Sequence, residues 1–94
     1  MKVAICSFSA RGANLGKKIA NYFASIGWIA SSWTMAKYSE ETGVAAYPID
    51  YKETTKEIFS CYDALVYVGA TGIAVRAIAP HLKSKLTDPA VLNV

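Results

Sequence analysis

Apolar residues cluster in short dense runs separated by stretches in which polar residues return at regular steps. Lys2-Val3-Ala4-Ile5-Cys6-Ser7-Phe8 is the first such run and predicts an opening strand. Leu15, Ile19, Tyr22, Phe23 and Ile26 then recur every three or four residues, while Lys17, Lys18 and Asn21 fall on other faces. That spacing predicts an amphipathic helix over residues 13–26, stopped by Gly27. Trp28 to Met35 alternates large and small residues and predicts a second strand, weakened by Ala30, Ser31 and Ser32. Residues 36–47 show no period and read as an exposed connection. Asp50 with Glu53 three residues on makes a capping box, which predicts a helix over residues 52–61. Ala64-Leu65-Val66-Tyr67-Val68 is apolar throughout, as a central parallel strand covered on both faces should be.

The segment behind that run is the part of the chain richest in chemistry. Gly69 and Gly72 let the backbone turn sharply, and Thr71 is placed to cap a third helix with Ile73, Ala74, Ala77 and Ile78 on its buried side. Pro80 lies a turn from that helix's end. Lys83-Ser84-Lys85 reads as a polar turn, Asp88-Pro89 as a second turn, and residues 90–94 as the opening of a fourth strand. The stretch Ser9-Ala10-Arg11-Gly12-Ala13-Asn14 behind the first strand reads as a tight strand-to-helix loop.

Strands alternating with helices predict an α/β domain: a small, open, mostly parallel sheet of about four strands with helices on both faces, a flavodoxin-like or Rossmann-like three-layer arrangement. Ligands of such sheets sit outside the carboxyl ends of the strands, where strand order reverses. Both loops, 9–14 and 69–72, leave strands at that edge. Each leads into a helix N-terminus, where unpaired amides and the positive end of the dipole favour an anion.

Ninety-four residues, 53% of them hydrophobic, make one domain with a modest core. Ten bases against seven acids leave a charge of +3, a bias toward an anionic ligand and far from a nucleic-acid arm. No apolar run approaches the roughly 20 residues of a membrane span and no leader pattern opens the chain, so a cytoplasmic protein without membrane contact is expected. Cys6 and Cys61 stand apart, in no metal-ligand spacing; both read as buried free thiols, with no metal expected.

The segment Gly72-Ile73-Ala74-Val75-Arg76-Ala77-Ile78-Ala79-Pro80-His81-Leu82-Lys83-Ser84-Lys85-Leu86-Thr87-Asp88-Pro89-Ala90-Val91 resembles the N-terminal domain of the CbiG family, the cobalt-precorrin-5A hydrolases of anaerobic cobalamin biosynthesis. Ser7-Phe8-Ser9-Ala10-Arg11-Gly12 is similar to that family's opening, whereas residues 28–50 are only loosely so. Family members carry a further region and a C-terminal domain behind this one. This chain is therefore expected to be an excised domain or a short relative, completed by those later domains, by a pathway protein or by a homodimeric partner.

The resemblance implies hydrolytic opening of a δ-lactone on a cobalt-corrinoid substrate, with release of acetaldehyde, and no cofactor beyond the cobalt in the substrate itself. The macrocycle bears acetate and propionate groups. Ser9, Arg11, Gly12, Gly69, Ala70, Thr71, Gly72, Ile73 and Arg76 are the expected substrate-binding residues, the arginines as bidentate carboxylate partners. No general base stands out. Arg76 and Asp88 are the weak catalytic candidates, although Arg76 also suits a surface pair with Asp88, and Asp88 the turn before Pro89. His81 falls near a helix end and reads as a cap or surface residue. Trp33, Tyr38 and Tyr47 are candidates for an interface or a flat macrocycle platform, in a chain with more aromatic surface than it can hide. Two other readings stay open. One is a non-catalytic substrate-binding or interaction module. The other is a flavodoxin-like module binding a flavin phosphate through Ser7, Ser9 and Asn14.

Overall fold

The computed structural model describes residues 1–48, 50–69 and 90–94. Its elements run β1 (Lys2–Ser7), α1 (Ala10–Ser25), β2 (Ile29–Thr34), α2 (Ala36–Thr42), β3 (Ala45–Ala46), α3 (Tyr51–Cys61), β4 (Ala64–Val68) and β5 (Ala90–Asn93). The five strands form one parallel sheet in the order β3-β2-β1-β4-β5. The α/β class, the parallel sheet and its two covered faces are as the alternation of patterns predicts. Among the described residues five strands stand where about four are expected, because β3, two residues long, pairs with the end of β2.

β1 lies at the centre, and its register explains its composition. Val3 to Ser7 and Ala64 to Val68 are buried without a break, because β1 and β4 pair Val3↔Ala64 through Ser7↔Val68 and both faces are covered. On one face Val3, Ile5, Ala64, Val66 and Val68 meet Ile19, Ala20 and Phe23 of α1, with Trp28 and Ala30. On the other, Ala4, Cys6, Leu65 and Tyr67 meet Ile58 of α3, bordered by Phe8, Trp33, Tyr47, Tyr62 and Val91. Alternate residues of each strand thus serve opposite layers, as the period of two requires.

The inner face of α1 differs from the apolar stripe that the spacing predicts. Leu15, Tyr22 and Ile26 are exposed, and the buried positions are Gly12, Ala13 and Gly16. A Cβ at Gly16 would lie 3.1 Å from Ile5 Cγ2, and one at Gly12 would lie 3.3 Å from the Val68 carbonyl oxygen. Small residues let the helix backbone approach the sheet, so hydrophobicity alone points to the wrong side of its first turns. The helix also begins at Ala10 rather than at 13, because Ser9 adopts extended geometry and caps it.

Residues 36–47 are not a plain connection. α2 forms there because tertiary partners close its end: Lys17 Nζ donates to the Thr42 carbonyl (2.8 Å), a cation at a helix C-terminus. Thr42 Oγ1 donates to the Tyr38 carbonyl (2.7 Å), and Gly43 ends the helix at φ 77°. None of these interactions leaves a period in the sequence. Ahead of α3, Asp50 Oδ1 accepts the Glu53 amide (2.9 Å), the predicted cap. Cys6 is buried as expected, but Cys61 is exposed. It is the last residue of α3, and the half-buried ring of Tyr62 packs against the sheet instead.

Candidate functional site

The chain steps outward from β1 to β2 and β3, then crosses back to place β4 on the other side of β1. Strand order therefore reverses between β1 and β4, and a crevice outside their carboxyl ends is where open parallel sheets bind ligands. Two connections leave that point side by side, since Ser7 and Val68 are register partners. One is Phe8-Ser9 into α1. The other begins at Gly69, whose φ of 130° is a conformation that side chains rarely tolerate.

Ser9 organises the first connection. Its Oγ accepts the Gly12 amide (3.0 Å) and its carbonyl accepts the Ala13 amide (2.9 Å). Two first-turn donors are thereby used, and the remaining ones, at Ala10 and Arg11, face out from the helix N-terminus. Arg11 is exposed in that same turn, so a guanidinium accompanies the positive end of the dipole. Helical Arg11 corrects its expected place on a loop; the cap at Ser9 starts the helix before it. At the second connection the Gly69 amide donates to the Val94 carbonyl (3.1 Å), joining the end of β4 to the chain beyond β5.

Beneath the edge, on the α3 side, lies a layer of rings and hydroxyls. Phe8 stacks on Tyr47 (centroids 6.0 Å apart) and on Tyr67 (6.2 Å, planes 2° apart). The Tyr47 hydroxyl donates to the Ser7 carbonyl (2.9 Å), and the Tyr67 and Thr55 hydroxyls bond at 3.0 Å. Burial is the main cause of the raised pKa values here: the Cys6 thiol is pushed up from 9.0 to about 12, against a smaller lowering by its hydrogen bond with Tyr47. Tyr67 is pushed up to about 12 by burial, opposed by its bond to Thr55. Tyr47 is raised further, by burial first and then by Cys6. All three are neutral proton holders at physiological pH. None is a base or a nucleophile there.

Of the residues that sequence points to, Ser9, Arg11, Gly12 and Gly69 come together at the β1/β4 edge. Ala70, Thr71, Gly72, Ile73, Arg76, His81 and Asp88, with the third helix and the two turns after it, lie outside the described residues. Of the three residues named for a flavin phosphate, Ser7 is buried with its hydroxyl on the Trp33 carbonyl (3.1 Å) and Asn14 sits in the second turn of α1, whereas the exposed Ser9 accepts the Gly12 amide and keeps its hydroxyl proton to donate. Of the aromatic candidates, Tyr47 reaches the edge through its hydroxyl, and Trp33 packs edge-on against Tyr62 (6.0 Å). Phe8 and Tyr67 are partners that sequence reasoning missed; their apolar strand context carries no mark distinguishing them from ordinary core.

A three-layer parallel α/β domain, with strand order reversing beside a capped helix N-terminus, defines an architecture that hosts many functions rather than one reaction. Sequence comparison narrows it. Residues 53–94 match the family described as Cobalamin synthesis G N-terminal. Over 92 residues, 98% of the chain, it is 33% identical to the cobalt-precorrin-5A hydrolase of Salmonella typhimurium, covering 24% of that protein. A crystal structure of a cobalamin biosynthesis protein G homolog from Sulfolobus solfataricus superposes with a TM-score of 0.72 at 27% identity, over 98% of this chain and 25% of that one. These likenesses support a CbiG-type N-terminal domain, and the chain spans about a quarter of the length of these relatives. No helix among the described residues is long and apolar enough to cross a membrane.

Proposed function

We propose that this domain holds the cobalt-corrinoid substrate of a cobalt-precorrin-5A hydrolase reaction in the cytoplasm, gripping its peripheral carboxylates at the β1/β4 edge. The observation that supports this most is the pairing of β1 with β4, which sets the capped N-terminus of α1, with Arg11, beside the connection leaving Gly69. In the reaction, water adds to the δ-lactone carbonyl and the ring C–O bond breaks. A carboxylic acid and an alcohol result. The alcohol then loses its proton and closes to C=O as the C–C bond joining the two-carbon unit to the macrocycle breaks. The bonding pair stays on the macrocycle carbon, which takes a proton, and the unit leaves as acetaldehyde. Arg11 and Arg76 pair with carboxylates in bidentate fashion. The amides of residues 70–73 add donors for the anion that develops at the carbonyl. Asp88 is a weak candidate for moving a proton, and cobalt enters only as part of the substrate.

Titrating the chain with cobalt-precorrin-5A while following the corrinoid spectrum, and trapping acetaldehyde, tests the reading. Binding by the wild type that falls about tenfold or more in Arg76→Ala is expected, since a hydrogen bond to a charged group is worth about 1.5–3 kcal/mol. Acetaldehyde release would assign catalysis to these 94 residues. Absence of binding would overturn the assignment.

A second reading is favoured by one feature of β5. Leu92 and Val94 are 53% and 58% exposed at the edge of the sheet, an apolar border suited to a protein partner. On that reading the domain binds substrate and docks to the polypeptide that completes the reaction, without turning substrate over alone.

A further inference from the structure

The contact that fixes the β1–α1 connection comes from the far side of the sheet. Tyr47 follows β3, the edge strand, and its amide donates to the Thr34 carbonyl at the end of β2 (3.0 Å). From there its side chain crosses β2 and reaches β1. The hydroxyl donates to the carbonyl of Ser7, the last residue of β1 (2.9 Å), and lies within hydrogen-bonding reach of the Cys6 thiol. Its ring stacks on Phe8, the residue after Ser7, which also stacks on Tyr67. One side chain therefore holds the peptide plane at Ser7 and the ring at Phe8, the two positions that lead directly into the Ser9 cap.

We propose that Tyr47 is a positioning residue for the ligand site: by fixing Ser7 and Phe8 it sets the direction of the α1 N-terminus, its free amides and Arg11. The proposal rests on the reading of that edge as the corrinoid-carboxylate site, and goes beyond it by giving the site a support from β3. Residues 36–47, the part of the chain without sequence period, acquire a purpose in this arrangement. α2 and β3 deliver Tyr47 to its place. A phenol suits the task because burial keeps its proton on, so the bond to Ser7 persists across the physiological pH range.

Tyr47→Phe removes one oxygen and keeps the ring. Tyr62→Phe is the matched control, since it also removes a part-buried hydroxyl bond, Tyr62 Oη to Ser31 Oγ (3.1 Å), away from the β1–α1 connection. Two readouts separate positioning from general stability: affinity for cobalt-precorrin-5A by absorption titration, and amide hydrogen exchange at Gly12 and Ala13, whose donors Ser9 accepts. Tyr47→Phe should weaken binding by about tenfold and speed exchange at those two amides by a similar factor, as loss of a buried hydrogen bond allows. Tyr62→Phe should leave both at wild-type values. Equal affinity in Tyr47→Phe and wild type, or an equal loss in the two variants, overturns the proposal. A wild-type chain that takes up no corrinoid overturns the substrate reading instead. Exchange at Gly12 and Ala13 then decides the positioning claim: unchanged protection in Tyr47→Phe refutes it.

Discussion

The two faces of this sheet are closed by opposite means. On the α1 face, side chains have been removed: Gly12, Ala13 and Gly16 bring the helix backbone onto Ile5, Ser7 and the end of β4, and aliphatic residues with Phe23 and Trp28 fill what is left. On the α3 face, side chains have been added. Phe8, Tyr47, Tyr67, Trp33 and Tyr62 fill the space, and their hydroxyls find Ser7, Thr55 and Ser31. The first solution fixes the distance of a helix from the sheet. The second fixes orientation, because rings linked by hydrogen bonds admit fewer arrangements than apolar packing without them. The edge proposed for binding draws on both, a helix N-terminus brought close and then held at one angle.

The largest effect should come from emptying the aromatic face. Tyr67→Ala deletes a ring that is 1% exposed and should cost about 3–5 kcal/mol in denaturant unfolding, the range for deleting a buried aromatic side chain. A loss below about 1 kcal/mol would mean that this face is not a packed core.

The same face should make the domain alkali-sensitive. The Cys6 pKa is raised in the folded state, so its contribution is fully present below the ordinary value of 9.0 and is lost as pH rises toward about 12. By about pH 10.5 the unfolded chain has ionised and the folded one has not, a loss of about 2 kcal/mol at about 1.4 kcal/mol per pH unit. Tyr67 adds in the same direction at the upper end of that window. Chemical denaturation from neutral pH upward, with thiolate absorbance recorded in parallel, checks the sign. Stability that is flat or rising to about pH 11 would contradict it.

The glycine face should answer to volume. Gly16→Val places methyl groups where a Cβ alone already approaches Ile5 Cγ2 to 3.1 Å, and should cost about 1–3 kcal/mol. The smallest effect belongs to the exposed side of the same helix. Leu15→Lys should change stability by less than about 0.5 kcal/mol, because Leu15 is 40% exposed, off the buried line of Gly12, Ala13 and Gly16. If Leu15→Lys proved as costly as Gly16→Val, the inner face of α1 would be the hydrophobic stripe after all.

That last pair also marks where the sequence could and could not be read. β1, β4 and the cap at Asp50 were legible because burial on both faces leaves continuous apolar runs and because capping chemistry is local. The inner line of α1 was not, since close approach selects small residues that a hydrophobic period ignores. α2 and β3 were not either, for they depend on Lys17, Gly43 and pairing with Trp33 and Thr34, contacts made across the fold. Of the proposed site, the placing of Ser9, Arg11, Gly12 and Gly69 at one sheet edge was legible from a loop-and-glycine pattern. Tyr47 was visible as an unexplained aromatic, but its partner, the Ser7 carbonyl, is a backbone atom that no side-chain pattern announces.

Mapping where the corrinoid touches the domain tests the β1/β4 edge most directly. Amide chemical shifts of the labelled domain, followed during titration with cobalt-precorrin-5A, report each residue separately. Shifts concentrated at residues 7–12 and 68–69, and diminished in Arg11→Ala, are the predicted result. Shifts centred on Met1, Ile26, Ile29 and Asp63 at the opposite edge, or a saturable complex untouched by Arg11→Ala, would contradict it.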